Sequence, residues 1–326
     1  KGDPYHKGEE IPRGFLEVLG GQLLPADEKG SGRRELAEWI VDLKNPLTMR
    51  VMANRIWEYH FGKGIVDTPN DFGVRGDAPS NAELLDWLTS RFVESKYSIK
   101  AMHRLIMQTR AYQMAAGAPA LLTAANMKID AKNEYQWRFD RRRLDAEEIR
   151  DAMLDVAGDL DTSMGGRQPF PPEINFHYTQ HQQFFATYET KRRSVYVMRQ
   201  RLKDDPFLGT FDAADPNTST PMRTPQETSV QALAMINSDF VAGQADLLAV
   251  RTGMAFSADA GRVQYAYELV YGREPSPAEM AECANYLYRA RAAFKDSKLP
   301  ADQQARAALA SLMHVLLASD EFIFVE

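Results

Sequence analysis

Helix-start signals recur along this chain, each followed by apolar residues three and four apart, and that pattern leaves room for little besides a multi-helix fold. Ser80-Asn81-Ala82-Glu83 reads as a capping box, in which the serine hydroxyl and the glutamate three residues on satisfy orphan amides. Leu84, Leu85, Leu88 and Phe92 follow on one side. Ser98 opens a second helix with Met102, Leu105, Ile106 and Thr109 in step. Asp145-Ala146-Glu147-Glu148 opens a third, with Ile149, Met153, Val156 and Leu160 inward. Thr224-Pro225-Gln226-Glu227 and Ser276-Pro277-Ala278-Glu279 each join a capping residue, a proline at the first helical position and a glutamate two further on. Upstream, Arg33–Leu43 reads as a short amphipathic helix broken by Asn45-Pro46. Leu47–Phe61 is a longer one, with Met49, Met52 and Ile56 on one stripe and Gly62 at the position that ends helices.

Between these segments the chain is irregular. Residues 1–30 are rich in Gly and Pro and read as an extended arm, with Phe15–Leu19 and Leu23–Leu24 packing on the body. A polar loop covers 65–80, a less regular stretch 117–142, and two long irregular segments 161–192 and 204–223. Ser194–Met198 is the best strand candidate. Four helices fill the C-terminal third, and Phe322–Val325 packs back on the body. The expectation is a mainly α, multi-helix globular domain of about ten helices, with one or two short strands and long irregular loops. It comprises an arm over 1–30, continuing from a preceding domain, and a single helical domain over 31–326, open to sub-division near 161–223. The opening Lys1-Gly2-Asp3-Pro4-Tyr5 reads as a fragment or a processed product.

Composition narrows the function classes. With 44% apolar and 26% charged residues, the 326-residue chain is an ordinary folding sequence. A net charge of −6 argues against nucleic acid as a partner. No apolar run approaches the roughly 18 residues of a membrane span. One cysteine, Cys283, excludes an intramolecular disulfide, a cysteine-rich zinc site and the usual c-type haem attachment in this chain.

Five constellations are candidates for chemistry. Arg50, Asn54 and Glu58 share a helix face, either as a polar cleft lining or as a network tying the helix to the loop at 68–73. In that loop Asn70, Asp71 and Asp77 offer oxygens to a hard cation, or serve as turn formers. Asp212, Asp215 and Asn217 offer an acid/base pair with an amide, or a turn. His177 and His181 stand at the spacing of a metal-binding helical pair, without the glutamate between them. The run 176–188 holds Tyr178, Phe184, Phe185 and Tyr188 among amides, as a sugar-binding surface, an interface or a covering loop. Cys283 reads as a small core residue.

Several segments taken together resemble one family. They are Gly32–Trp39 (GRRELAEW), Asn45–Thr48 (NPLT), Asn54–Trp57 (NRIW), His60–Val66 (HFGKGIV), Thr68–Gly73 (TPNDFG) and Glu83–Leu88 (ELLDWL). Arg141–Glu147 (RRRLDAE), Phe211-Asp212, Asp215–Asn217 (DPN), Gln231–Leu233 (QAL) and Ile236-Asn237 complete the set. In this order they are similar to the planctomycete-type domain of unknown function found C-terminal in large exported, cytochrome c-associated proteins. The chain departs from many members after Asn217, where a Cys-Gly-Arg-Arg-like stretch is replaced by Thr218-Ser219-Thr220-Pro221-Met222-Arg223, so a thiol role there is lost.

The resemblance implies an exported, periplasmic or cell-surface setting. It also implies c-type haem in other domains of the parent, whose cytochrome c domain becomes a partner. It assigns no activity. The expected function is therefore a non-catalytic interaction module that docks a redox partner or binds polysaccharide. The competing expectation is a glycan-active enzyme using Asp212 and Asp215.

Overall fold

The computed structural model describes residues 5–166, 189–201, 203–224, 226–295 and 297–325. Thirteen helices, with 53% of residues helical, and a single two-stranded sheet make up the fold among them, which is the multi-helix domain the sequence leads one to expect. The chain divides into two compact units, 1–140 and 141–326.

The first unit holds α1 (Arg33–Val41), α2 (Pro46–Phe61), α3 (Ala82–Glu94), α4 (Ile99–Met107) and α5 (Ala120–Ile129). Helix α2 is its axis, packed on α3 and α4. Asn45 caps α2 by accepting from the Leu47 N–H (3.1 Å), Pro46 occupies the first turn, and Gly62 ends the helix at φ 74°. Met49, Ala53, Ile56, Trp57 and Phe61 form the buried face, so the stripe passes through Ala53 and Trp57 where Met52 was expected. Leu85, Leu88, Phe92, Met102 and Ile106 close on it from α3 and α4. Helix α3 is capped by Asn81, whose Oδ1 accepts from the Leu84 N–H (2.9 Å), and not by Ser80. Ser80 is spent elsewhere, its N–H (2.8 Å) and hydroxyl (3.2 Å) both donating to the Ile65 carbonyl. Ser98 caps α4 as expected. Helix α5 lies inside the stretch read as irregular. It is apolar nearly all round and has no buried residue, so it lacks the amphipathic stripe that marks a helix in sequence.

The arm before α1 folds back on itself, with Gly14 bridging Leu23 in an antiparallel pair. Phe15 stacks on Trp39 at 5.0 Å, while Leu16, Val18 and Leu23 are exposed, so the expected packing of both apolar runs is limited to Phe15, Leu19 and Leu24.

The second unit opens with β1 (Arg142–Arg143) and α6 (Ala146–Ala157) and continues through α7 (Pro206–Thr210), α8 (Ser229–Asn237), α9 (Asp239–Ala255) and α10 (Asp259–Tyr271). It ends with α11 (Pro277–Lys295), α12 (Ala301–Leu317), α13 (Asp320–Ile323) and β2 (Phe324–Val325). Helix α12 packs against α9 and α11, and α6 against α9. Ile149, Met153, Leu248, Leu287, Met313 and Leu317 are essentially inaccessible at the centre, and Cys283 is part of the same core. The closing residues do return to the body: β2 pairs antiparallel with β1, Arg142 opposite Val325 and Arg143 opposite Phe324.

Two expected elements differ. Ser194–Tyr196 is a single 3-10 turn and not a strand, because the Asp151 carboxylate accepts from the Ser194 N–H (2.8 Å) and hydroxyl (2.7 Å) while the Ser194 carbonyl takes the Val197 N–H (3.0 Å). Thr224 does not open a helix, and residues 226–228 are non-helical. Helix α8 starts at Ser229, in a capping box of Thr228 and Gln231, and the upstream Gln226 N–H is taken by Asp212 (2.9 Å). The starts at Asp145 and Ser276 stand, each with its capping glutamate bonded back, although Leu160 falls beyond the end of α6.

Candidate functional site

The residues singled out in sequence are distributed as follows. Asn54, fully buried on α2, donates from Nδ2 to the Val66 carbonyl (3.0 Å) and accepts the Val66 N–H (2.8 Å). It pairs with that backbone as a strand would. Gly64 is required beside it, since an added Cβ would lie 2.4 Å from the Val66 oxygen. Arg50 pairs with Asp86 (2.5 Å) on α3. Arg55, and not Arg50, reaches the loop, donating to the Asn70 side chain (2.6 Å). Glu58 has its carboxyl pushed up by burial and by nearby Asp67, against the pull of Arg55. The Arg50–Asn54–Glu58 face is thus split among three separate tasks.

The loop at 68–77 satisfies itself. Asp71 accepts the Gly73 N–H (2.9 Å), and the Thr68 hydroxyl donates to the Asp71 carbonyl (2.8 Å) while accepting the Asp77 N–H (2.9 Å). Among the described residues no group of three His, Cys, Asp or Glu side chains could hold a metal ion. His177, His181, Tyr178 and Phe185 lie outside the described residues.

In the second unit the segments that carry the family resemblance converge. Arg143, 7% exposed, donates to Asp212 (3.2 Å) and to the Gln226 carbonyl (2.9 Å), and Gln231 donates to the same Asp212 oxygen (2.8 Å). Arg142 grips Glu148 with both terminal nitrogens (2.9 and 3.0 Å). Arg223 does the same to Glu147 and lies 3.7 Å from Asp145. Burial raises the Asp145 carboxyl despite Arg223. For Glu147 and Glu148 burial is outweighed by their arginines, and both are held low. Asp215, 2.8 Å from the Asn217 N–H, is also held low, and the Asn217 amide spans to the Arg201 carbonyl (2.8 Å). Asp215 therefore closes a local turn, whereas the Asp212 carboxylate ties together Arg143, the Gln226 N–H and Gln231; at Asp212 the backbone is left-handed, φ 63°.

The arrangement with free chemistry lies in the first unit and was not singled out in sequence. Two recesses, of about 260 and 30 Å³, share Trp57, Asn81, Leu84, Glu134 and Gln136. Trp87, Leu105 and Tyr135 are among the further residues that line the larger one. Trp57 is 5% exposed and stacks on Phe61 at 4.1 Å; its indole N–H has no hydrogen-bond partner among the described residues and keeps some access to solvent. The Trp137 indole N–H, by contrast, donates to the Asp130 carbonyl (2.9 Å). Trp87, 44% exposed, and Tyr135, 81% exposed, stand at the rim.

The loop that presents Glu134, Tyr135 and Gln136 is rigidly built. The Asp130 carboxylate accepts the N–H groups of Glu134 and Tyr135, both at 2.9 Å. Asn133, 2% exposed, accepts from Trp137 N–H (2.9 Å) and donates to the Arg138 carbonyl (2.8 Å). Asn133 and Gln136 both hold left-handed backbone, φ 53° and 52°, a conformation non-glycine residues adopt only when surroundings over-determine it. The signal that could have found this site is the placement of tryptophan: all four, Trp39, Trp57, Trp87 and Trp137, precede residue 140.

The family model described as PSD1, a protein of unknown function (DUF1553), matches residues 32–287, most of the chain. No curated protein and no solved structure matches the chain. The chain belongs to the DUF1553 family.

Proposed function

We propose that this DUF1553 chain is a non-catalytic interaction module that binds polysaccharide, taking a pyranose ring into the recess between Trp57, Trp87 and Tyr135. The observation that carries the reading is the recess of about 260 Å³ itself, lined by Trp57 and with the exposed rings of Trp87 and Tyr135 at its rim. A sugar ring meets each part of this lining. Its C–H faces lie against Trp87 and Tyr135. Its hydroxyl oxygens accept from Trp57, and its hydroxyl protons go to Glu134 and Gln136. A loop pre-shaped by Asp130 and Asn133 loses little further freedom on binding, which favours affinity. The non-catalytic part of the reading is supported by Asp212 and Asp215, each already accepting from a backbone N–H.

The exported, cytochrome c-linked cell-envelope setting, with docking to the cytochrome c domain of the same parent, belongs to this proposal and rests on the segment resemblance alone. A parent polypeptide purified without a Soret band would remove it. No helix among the described residues is long and apolar enough to cross a membrane.

Calorimetric titration with neutral gluco-, manno- and xylo-oligosaccharides tests the sugar site. Binding by one of them, weakened several-fold by Trp87→Ala and by Tyr135→Ala, is the expected result. Binding that both variants leave intact would place the sugar elsewhere. No binding by any of them would end the reading.

A further inference from the structure

A cleft of about 870 Å³ in the second unit is lined by α6, α7, α8, α9 and the segment 189–191. Its volume lies in the range of small-molecule sites, roughly 300–1,000 Å³. One wall is aromatic: Phe207 packs on Phe211 at 4.7 Å and on Phe240 at 5.0 Å.

The charged lining is Asp159, Glu189, Asp205 and Asp239 against Arg150 and Lys191. Both cations are already engaged. Lys191 pairs with Asp159 at 2.6 Å. Arg150, 9% exposed, pairs with Asp151 (3.4 Å) and donates to the carbonyls of Thr190 and of Arg192 (3.0 Å) and to the Ser194 hydroxyl (3.2 Å). Asp205 accepts the Leu208 N–H (2.9 Å) as the cap of α7. Glu189 and Asp239 have no hydrogen-bond or ion-pair partner among the described residues. The uncompensated charge of the cleft is therefore negative.

A second observation comes from Gln244. It lines the cleft, is 6% exposed, and donates to Asp159 (3.4 Å), which fixes its amide orientation. Its Oε1 is buried and accepts nothing. An unsatisfied buried carbonyl is costly to the protein, so a ligand that donates to it is favoured over one that does not.

We propose that the cleft binds a small organic amine, its protonated nitrogen held among Glu189, Asp239 and Gln244 and its apolar or aromatic body on Phe207 and Phe240. A carboxylate or phosphate ligand is disfavoured by the same lining, and a neutral apolar one leaves Gln244 unsatisfied. Aromatic faces beside the charge add cation–π attraction. The site is independent of the sugar reading, which concerns the first unit alone.

The test titrates the whole chain with 2-phenylethylamine, 2-phenylethanol and phenylacetate, three probes of one shape and different charge, by calorimetry and NMR. The amine should bind about tenfold more tightly than the alcohol, and phenylacetate more weakly than either. Asp239→Asn and Glu189→Gln, both at exposed positions, should each reduce the preference for the amine while leaving Tm within a degree or two of the parent. Equal binding of amine and alcohol, or a preference untouched by both variants, would overturn the proposal. So would amine-induced NMR shifts confined to residues outside the cleft.

Discussion

Two glutamates give opposite pH signatures, and each isolates one physical cause. Glu58 is raised above its ordinary value of 4.5, chiefly by burial. A raised carboxyl binds protons more readily in the folded state, so its cost to stability develops as the pH rises from 4.5 and is complete above its folded value. Glu58→Gln is expected to raise Tm at pH 7, and the gain should vanish as the pH drops below 4.5. A gain that persisted at low pH would mean that packing, not charge, sets the difference. Glu279 is held down to about 2, first by its hydrogen bond from Arg273 and then by the N–H of Ser276. Its contribution is present above 4.5 and is lost as the pH falls through about 2. Glu279→Gln keeps an acceptor for the capping box and removes the charge together with one of the two oxygens that Arg273 grips. The variant should melt lower than the parent at pH 7, with the gap closing between pH 4.5 and 2 in a thermal scan series. Arg273 is 40% exposed, so the gap should also shrink in salt. Asn54 sets a larger effect, because its loss leaves two buried backbone groups of Val66 without partners. Asn54→Leu should cost about 3 kcal/mol in urea unfolding, whereas Arg50→Ala, which breaks an exposed pair, should cost under about 1 kcal/mol.

At the scale of elements, what sequence makes legible is local chemistry, and what it hides is decided by partners far along the chain. The starts at Ser98, Asp145 and Ser276 can be read because cap and capped amide lie within three residues, while Asn45, read as a break, turns out to cap α2. Ser80 misleads because its partner is Ile65, fifteen residues upstream, which leaves the cap of α3 to Asn81. Asn81→Ala should therefore destabilise by about 1 kcal/mol, and Ser80→Ala by less, when both are measured by denaturant unfolding. The reverse order would restore the capping box to Ser80. Ser194 has the composition of a strand neighbourhood, but Asp151 on α6 takes its N–H and hydroxyl, and the segment turns. Helix α8 begins four residues later than Thr224-Pro225 suggests because Asp212, brought in by Arg143, holds the Gln226 N–H outside the helix. The same logic covers the sites. The turn-forming character of Asp71 and Asp215 is written locally and is what the structure displays, whereas Asp212 answers to partners 14 and more residues away. The aromatic recess joins Trp57, Trp87 and Tyr135 from three separate segments, and the left-handed Asn133 and Gln136 that shape it answer to contacts no local pattern announces.

For the molecule as a whole, the two proposed sites differ in how they should respond to salt. The first-unit recess offers ring faces, an indole N–H and amide groups to a neutral sugar, with Glu134 the one acidic group of its larger part. Such contacts act at van der Waals and hydrogen-bond range, and screening scarcely reaches them. The second-unit cleft attracts a cation through carboxylates, on a chain whose net charge of −6 adds a diffuse pull toward any amine. The screening length falls from about 10 Å at 0.1 M to about 3 Å at 1 M salt. Across that range the Kd for an oligosaccharide should stay constant, and the Kd for 2-phenylethylamine should rise several-fold. Part of the amine affinity should survive, since the donation to Gln244 and the contact with Phe207 and Phe240 lie within the cleft, where ions do not intervene. Complete loss of amine binding at high salt would reduce that interaction to the diffuse field of the chain. A sugar affinity that fell in parallel would show the recess reading charge through Glu134 and not ring faces through Trp87 and Tyr135.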